Sequence, residues 1–165
     1  MMNEKIQLVK ATLQKLQIDF AEFYHDPIPT IDDALPIWKD INAIHCKNLF
    51  FRNHKGNRHY LLVFHYMQSL GIHDLEQRLK QGKLTFASEE RMQKYLGVKP
   101  GSVSPFGLIH DQEHHVHLFL DNNLRNADRI SFHPNDNTAT FVLQMPDFMR
   151  FIETMGNSWE FIDLY

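Results

Sequence analysis

The sequence predicts an α+β fold, a mixed, largely antiparallel sheet with helices packed around it. Three observations carry that prediction. Short β-branched and aromatic runs come in pairs separated by turn-forming residues, the mark of hairpins. Segments with helical spacing alternate with them. No repeat, low-complexity tract or linker interrupts the 165 residues, a length that suits a single domain over 1–165.

Ile6, Val9, Leu13 and Leu16 recur at helical spacing, so an amphipathic helix is expected over 3–17. Phe20 to Tyr24 reads as a short aromatic strand. Thr30-Ile31-Asp32-Asp33 reads as a helix start capped by threonine, and Pro36 makes that helix short or distorted. Residues 43–52 and 58–66 form a hairpin around Asn53-His54-Lys55-Gly56-Asn57. Helices follow over 74–81 and 88–96, the second stopped by Gly97. A second hairpin is expected from 107–110 and 116–120, and a third from 130–133 and 138–144. Pro146, at a permitted first-turn position, opens a helix to Met155, and 159–165 reads as a last strand.

Composition bounds the function. Hydrophobic residues make up 43% and charged residues 22%, as in soluble globular proteins, and thirteen phenylalanines predict an aromatic core. No apolar run approaches the ~18 residues of a membrane span, and the start of the chain is amphipathic rather than a signal peptide, so no membrane partner is expected. The lone Cys46 rules out an internal disulfide and suits a reducing, cytoplasmic location. A net charge of −3 argues against broad phosphate-backbone binding but allows a grip on one RNA end. With no helix-turn-helix pattern, DNA is not an expected partner.

Few residues carry chemistry. The run from Gly97 to Gly107 sets three glycines, two prolines and two serines around Phe106. It either presents backbone N–H groups to a ligand or serves as a structural crossover. Lys47 sits in an apolar strand, either as an edge lysine that deters aggregation or as a partly buried donor. Strand alternation sends Lys47 and Asn48 to opposite faces, so sharing a pocket requires a bulge, a strand end or the backbone of Asn48. His133, held between a strand end and Pro134, is a water-positioning group or a surface turn residue. His110, His114, His115 and His117 match no zinc spacing, and no metal or other cofactor is expected. Cys46 reads as a small buried hydrophobe. Ser102 and Ser104 lack a nucleophile-elbow context and read as loop-formers or substrate contacts.

Taken in order, His25-Asp26-Pro27 with Thr30 and Ala34, Lys47-Asn48-Leu49-Phe50, Leu84-Thr85-Phe86-Ala87-Ser88, the Gly97–Gly107 loop, Phe132-His133-Pro134-Asn135 and Asp147-Phe148 with Phe151 form a pattern. It resembles the YbaK/ProX superfamily of free-standing editing domains, in particular aminoacyl-tRNA deacylases of the ProXp-ala (PrdX) type, over about residues 20–153. The resemblance implies hydrolysis of the ester that joins a wrong amino acid to the 3′ acceptor end of a tRNA, for this branch alanine on proline tRNA. A synthetase pocket that admits proline rejects smaller alanine only modestly, so a second site must clear the error. By the same resemblance Lys47 bonds the substrate or its terminal ribose, and Asn48 accompanies it. The Gly101 and Ser102 amides meet the oxyanion, and His133 orients water. Ile28 and Thr30 belong to the pocket wall or its entrance, and Phe106 sets pocket size or supports the loop. Neither a metal nor a covalent intermediate is implied, and prolyl-tRNA synthetase is a further candidate partner. Departures from the family pattern are Cys46 in place of a common threonine, His110 in place of asparagine, and Pro36 with Trp38. Two alternatives stand beside this reading: a deacylase for cysteine or serine, and a non-catalytic module that binds tRNA ends or a synthetase.

Overall fold

Strand β2 (Ile44–Asn53) organises the molecule, whose computed structural model describes residues 3–165. With β1 (Ala21–Tyr24), β3 (His59–His65), β4 (Leu84–Phe86), β5 (Val116–Asp121), β6 (Arg129–Phe132), β7 (Ala139–Gln144) and β8 (Trp159–Ile162) it forms a sheet ordered β1-β7-β6-β2-β3-β5-β8. Strand β4 adds to β2 off this path. The β1–β7, β6–β7, β2–β3 and β2–β4 pairs are antiparallel, and β2–β6, β3–β5 and β5–β8 are parallel. The mixed, largely antiparallel expectation holds.

One edge of β2 changes partner along its length. Ile44 and His45 pair with Ile130 and Ser131 of β6, whereas Phe51 to Asn53 pair with β4. The Phe50 carbonyl accepts from the Ala87 N–H, 2.9 Å away, at the end of β4. From Cys46 to Leu49 the strand is laddered only to β3, and the sheet is split beside it.

The two faces of β2 carry separate cores. Cys46 and Phe50 join the larger cluster, which takes Ile6, Val9 and Leu13 from α1 (Glu4–Lys15) and Phe148, Phe151 and Ile152 from α5 (Met145–Met155). Phe51, with Leu49 against it, joins a smaller cluster closed by Leu75 and Leu79 of α3 (Ile72–Leu79). Helix α2 (Ile31–Trp38) buries only Ala34 and contains Pro36, which lacks the N–H a helix interior needs and so keeps it short. Helix α4 (Glu89–Leu96) starts on a Ser88 cap and ends at Gly97 with φ +64. A Cβ at Gly97 would lie 2.6 Å from the His110 ring, so glycine is required there twice over.

The second expected hairpin is not formed. Pro105–His110 is a 3-10 helix, and β5 pairs in parallel with β3 and β8. Its cause is local and tertiary together: the Ser104 hydroxyl accepts from the Phe106 N–H at 3.1 Å, and a Cβ on Gly107 would approach the Leu96 Cβ to 2.8 Å. Strand β4 and a 3-10 turn at Asn122–Asn126 were not expected, and β8 ends at Ile162 rather than 165. Among the described residues no helix is long and apolar enough to cross a membrane.

Candidate active site

The break in the sheet opens into a cleft of about 480 Å³. It explains how Lys47 and Asn48 border the same space despite alternation. Where a strand edge lacks a neighbour, side chains from both of its faces reach the opening. Lys47, Asn48, His133, Gly101, Ile28 and Thr30 all line this cleft.

Lys47 Nζ donates to the Gln68 carbonyl at 2.6 Å, which fixes its direction and leaves two further N–H donors. The Phe64 ring centroid lies 5.9 Å from Nζ. Asn48 lies beside it with its Oδ1 buried and without a hydrogen-bond partner among the described residues. A buried acceptor left unmade costs about 1–3 kcal/mol. An unmatched acceptor therefore lies in the wall of the cleft, just beneath its surface.

His133 Nδ1 lies 2.8 Å from the Ala139 carbonyl. Because a carbonyl only accepts, Nδ1 carries the proton, and Nε2 keeps its lone pair. Burial holds the pKa of His133 below the ordinary imidazole value, partly opposed by the bond to Ala139, with the neighbouring His25 also pressing it down. The ring is therefore neutral near pH 7 and able to accept a proton or a water hydrogen bond. His25 stands edge-on at 6.1 Å, itself tied to Thr140 Oγ1 and the Asp26 carbonyl.

The loop after α4 turns at Lys99-Pro100-Gly101-Ser102. The Ser102 N–H donates to the Lys99 carbonyl at 3.0 Å, and Gly101 has φ +84, as a type II turn requires of its third residue. The expectation that both amides face an oxyanion therefore needs correction. The Ser102 N–H is spent within the turn, and Ser102 is buried and does not line the cleft. Gly101 and Val103 do line it, and neither backbone N–H has a backbone acceptor among the described residues.

Phe106 also departs from the expected pocket role. It is fully buried, with its ring edge-on to Phe132, Phe141 and Phe151. It supports the loop from inside and is not part of the cleft lining. The Thr30 hydroxyl is committed to the start of α2, donating to Asp33 Oδ2 at 2.7 Å and accepting from the Asp33 N–H at 3.3 Å. Ile28 is buried and held by its N–H on the Asn137 carbonyl at 3.1 Å.

The remaining candidates have structural partners. Burial pushes the Cys46 thiol pKa well up, which suppresses the thiolate a nucleophile needs. His45 and Ser131 form a buried pair 2.5 Å apart, outside the cleft lining. His115 pairs with His59 and His117 with Ser158, so the histidines of that segment diverge.

Trp38, Ser69, Leu70, Phe86 and Met92 also line the cleft; the sequence assigned the last four no role, and Trp38 entered only as a departure from the family pattern. Trp38 stacks on His45 with centroids 4.6 Å apart, which fixes one wall. Phe86 lies within the Leu84-to-Ser88 motif, and its exposure is what the sequence does not show.

Frame and cleft together define a class, an α+β domain whose split sheet holds a lysine, a neutral imidazole and free backbone donors around one space. Residues 25–151 match the model of the aminoacyl-tRNA editing domain, and the chain belongs to that family of ester hydrolases. It is 39% identical over 160 residues to the prolyl-tRNA editing protein ProX of Acetoanaerobium sticklandii, a match covering 96% of each chain. It is 29% identical over 143 residues to the prolyl-tRNA synthetase associated domain-containing protein 1 of Danio rerio, covering 86% of this chain and 77% of that protein. Among solved structures, a candidate trans-editing enzyme for prolyl tRNA synthetase superposes with a TM-score of 0.70 at 18% identity, covering 99% of both chains, a likeness of fold.

Proposed function

We propose that this protein edits proline tRNA in trans, hydrolysing the ester of a misattached small amino acid, alanine first. The observation that carries the reading is Lys47 held on the Gln68 carbonyl inside a cleft that Asn48 and His133 also line. Likeness to a prolyl-tRNA editing protein over 96% of the chain supports the choice of tRNA.

In this reading the free Lys47 donors bond the terminal ribose and the ester. Water, held by the His133 Nε2 lone pair, attacks the carbonyl carbon as Nε2 takes one of its protons, and a tetrahedral oxyanion forms. The Gly101 N–H stabilises that charge, as preorganised donors do. The carbon–oxygen bond to the ribose then breaks, the ribose oxygen takes the proton back from His133 Nε2, and free amino acid and tRNA leave. Asn48 Oδ1 accepts from the substrate's α-amino group, which gives the orphaned oxygen its partner. The aliphatic wall of Ile28, Pro29, Ile31 and Ala34 suits a methyl side chain. Action on tRNA places the work in the cytoplasm, with prolyl-tRNA synthetase as the source of the error and a natural partner.

The test is a panel of proline tRNAs charged with alanine, cysteine, serine and proline. Alanine is expected to be released fastest and proline to remain. Release of cysteine or serine in preference to alanine would replace the amino-acid assignment. Binding without release of any would reduce the protein to a tRNA-end binding module.

A further inference from the structure

Phe86 is the aromatic side chain of the cleft that faces water, 54% exposed at the mouth. Its backbone is held firmly. Phe86 is paired with Phe51 in the β2–β4 ladder, and the next residue, Ala87, donates to the Phe50 carbonyl at 2.9 Å. Beneath it the Phe51 ring is tilted by 35° with centroids 4.7 Å apart, so one face of Phe86 is supported and the other left open. Lys47 lies four residues back along β2 from Phe51, about 13 Å at the rise of a strand. Leu49 stands between them on the same face of the strand.

The cleft is also larger than its proposed acyl group needs. A volume of about 480 Å³ lies in the range of small-molecule and nucleoside sites, and an alanyl group fills a fraction of it. Among the described residues Lys47 is the charged residue of the lining and no carboxylate lines it, a balance suited to an anionic ligand. A ligand that spans it should be reactive at the Lys47 end and flat and apolar at the Phe86 end. The 3′-terminal nucleoside of a charged tRNA has that shape, with the ester on its ribose and an aromatic base beyond.

We propose that Phe86 is the stacking platform for the terminal base of the acceptor strand, an inference that rests on the editing reading above. Stacking on an exposed ring is a recurrent way to hold unpaired bases, and it needs no hydrogen-bond code. Its effect is to set the ribose ester at a fixed reach from Lys47. Alanine, a side chain without a long handle, is then positioned by the nucleotide that carries it.

The test uses an uncharged RNA hairpin ending in 3′-ACCA, with 2-aminopurine in place of the terminal adenine. Wild type is expected to quench the fluorophore on binding. Phe86→Ala should weaken binding roughly tenfold and abolish the quench, while Phe86→Trp retains both. Thermal melts of the variants separate loss of the platform from loss of fold. In parallel, Phe86→Ala should raise KM on alanyl-tRNA more than on alanine methyl ester, which has no base. An undiminished quench and affinity in Phe86→Ala, or equal losses on both esters, would overturn the proposal. A wild-type quench without hydrolysis would retain the platform and remove the editing reading.

Discussion

Lys47, Asn48 and His133 hold side-chain atoms that the folded protein leaves unused: two lysine protons, one buried amide oxygen and one imidazole lone pair. For Lys47→Ala we expect a fall in deacylation of at least about 10²-fold, with a melting temperature close to wild type because the half-buried amine makes one bond to a carbonyl. A variant with full activity would remove Lys47 from the reaction. Asn48→Ala should be at least as stable as wild type in urea, because it deletes an unsatisfied buried acceptor, yet lose kcat/KM. Equal loss of both would mark Asn48 as structural. The neutral His133 ring is the working form, and its pKa lies below the ordinary 6.5. The acid limb of the rate should therefore have its midpoint below pH 6.5, and His133→Ala should abolish that limb. An acid limb at or above 6.5 would assign it to another group. These three residues were legible in the sequence from motifs in order. Their meeting in one cleft was not, because alternation along a continuous strand separates Lys47 from Asn48.

The loop after α4 shows what an element's sequence conveys and withholds. Its Pro100-Gly101 pair announces a turn, and Gly101 adopts the positive φ that glycine tolerates. Gly101→Ala should cost about 1 kcal/mol or more in urea unfolding and lower kcat, because the strained turn reorients the 101 amide. A stable variant with undiminished kcat would dismiss that amide as a catalytic donor. The 3-10 helix at Pro105–His110 was misread as a strand because Gly107-Leu108-Ile109 is apolar, as a short strand would be. What decides it is contact with Leu96, a residue on another element. Strand β4 escaped notice for a related reason: three residues carry too little pattern, and only pairing with β2 makes them a strand.

Across the molecule, five histidines have pKa values held below normal, each first by burial: His45, His59, His110, His117 and His133. His59 is pressed down to about 4, with His115 and Arg91 adding to burial. A histidine whose folded pKa lies below its unfolded value binds protons more readily when unfolded. Their stabilisation is complete above about pH 6.5 and is lost as pH falls from there toward 4. Urea midpoints should therefore drop steadily between pH 7.5 and pH 4.5, and a flat profile would contradict this. The hairpins β2–β3 and β6–β7 were readable because their turns are local. The parallel pairs β2–β6, β3–β5 and β5–β8 were not, since each joins segments far apart in the chain. The split beside Lys47 is of this second kind, a product of β6 and β4 sharing one edge of β2.

The most direct test of the account is release of alanine from alanyl-tRNA(Pro), measured under single-turnover conditions with wild type and Lys47→Ala and with prolyl-tRNA(Pro) as the counter-substrate. Rapid loss of alanine alone, abolished in a folded Lys47→Ala protein, is the predicted result. Equal rates for wild type and Lys47→Ala, or release of proline as fast as alanine, would contradict it.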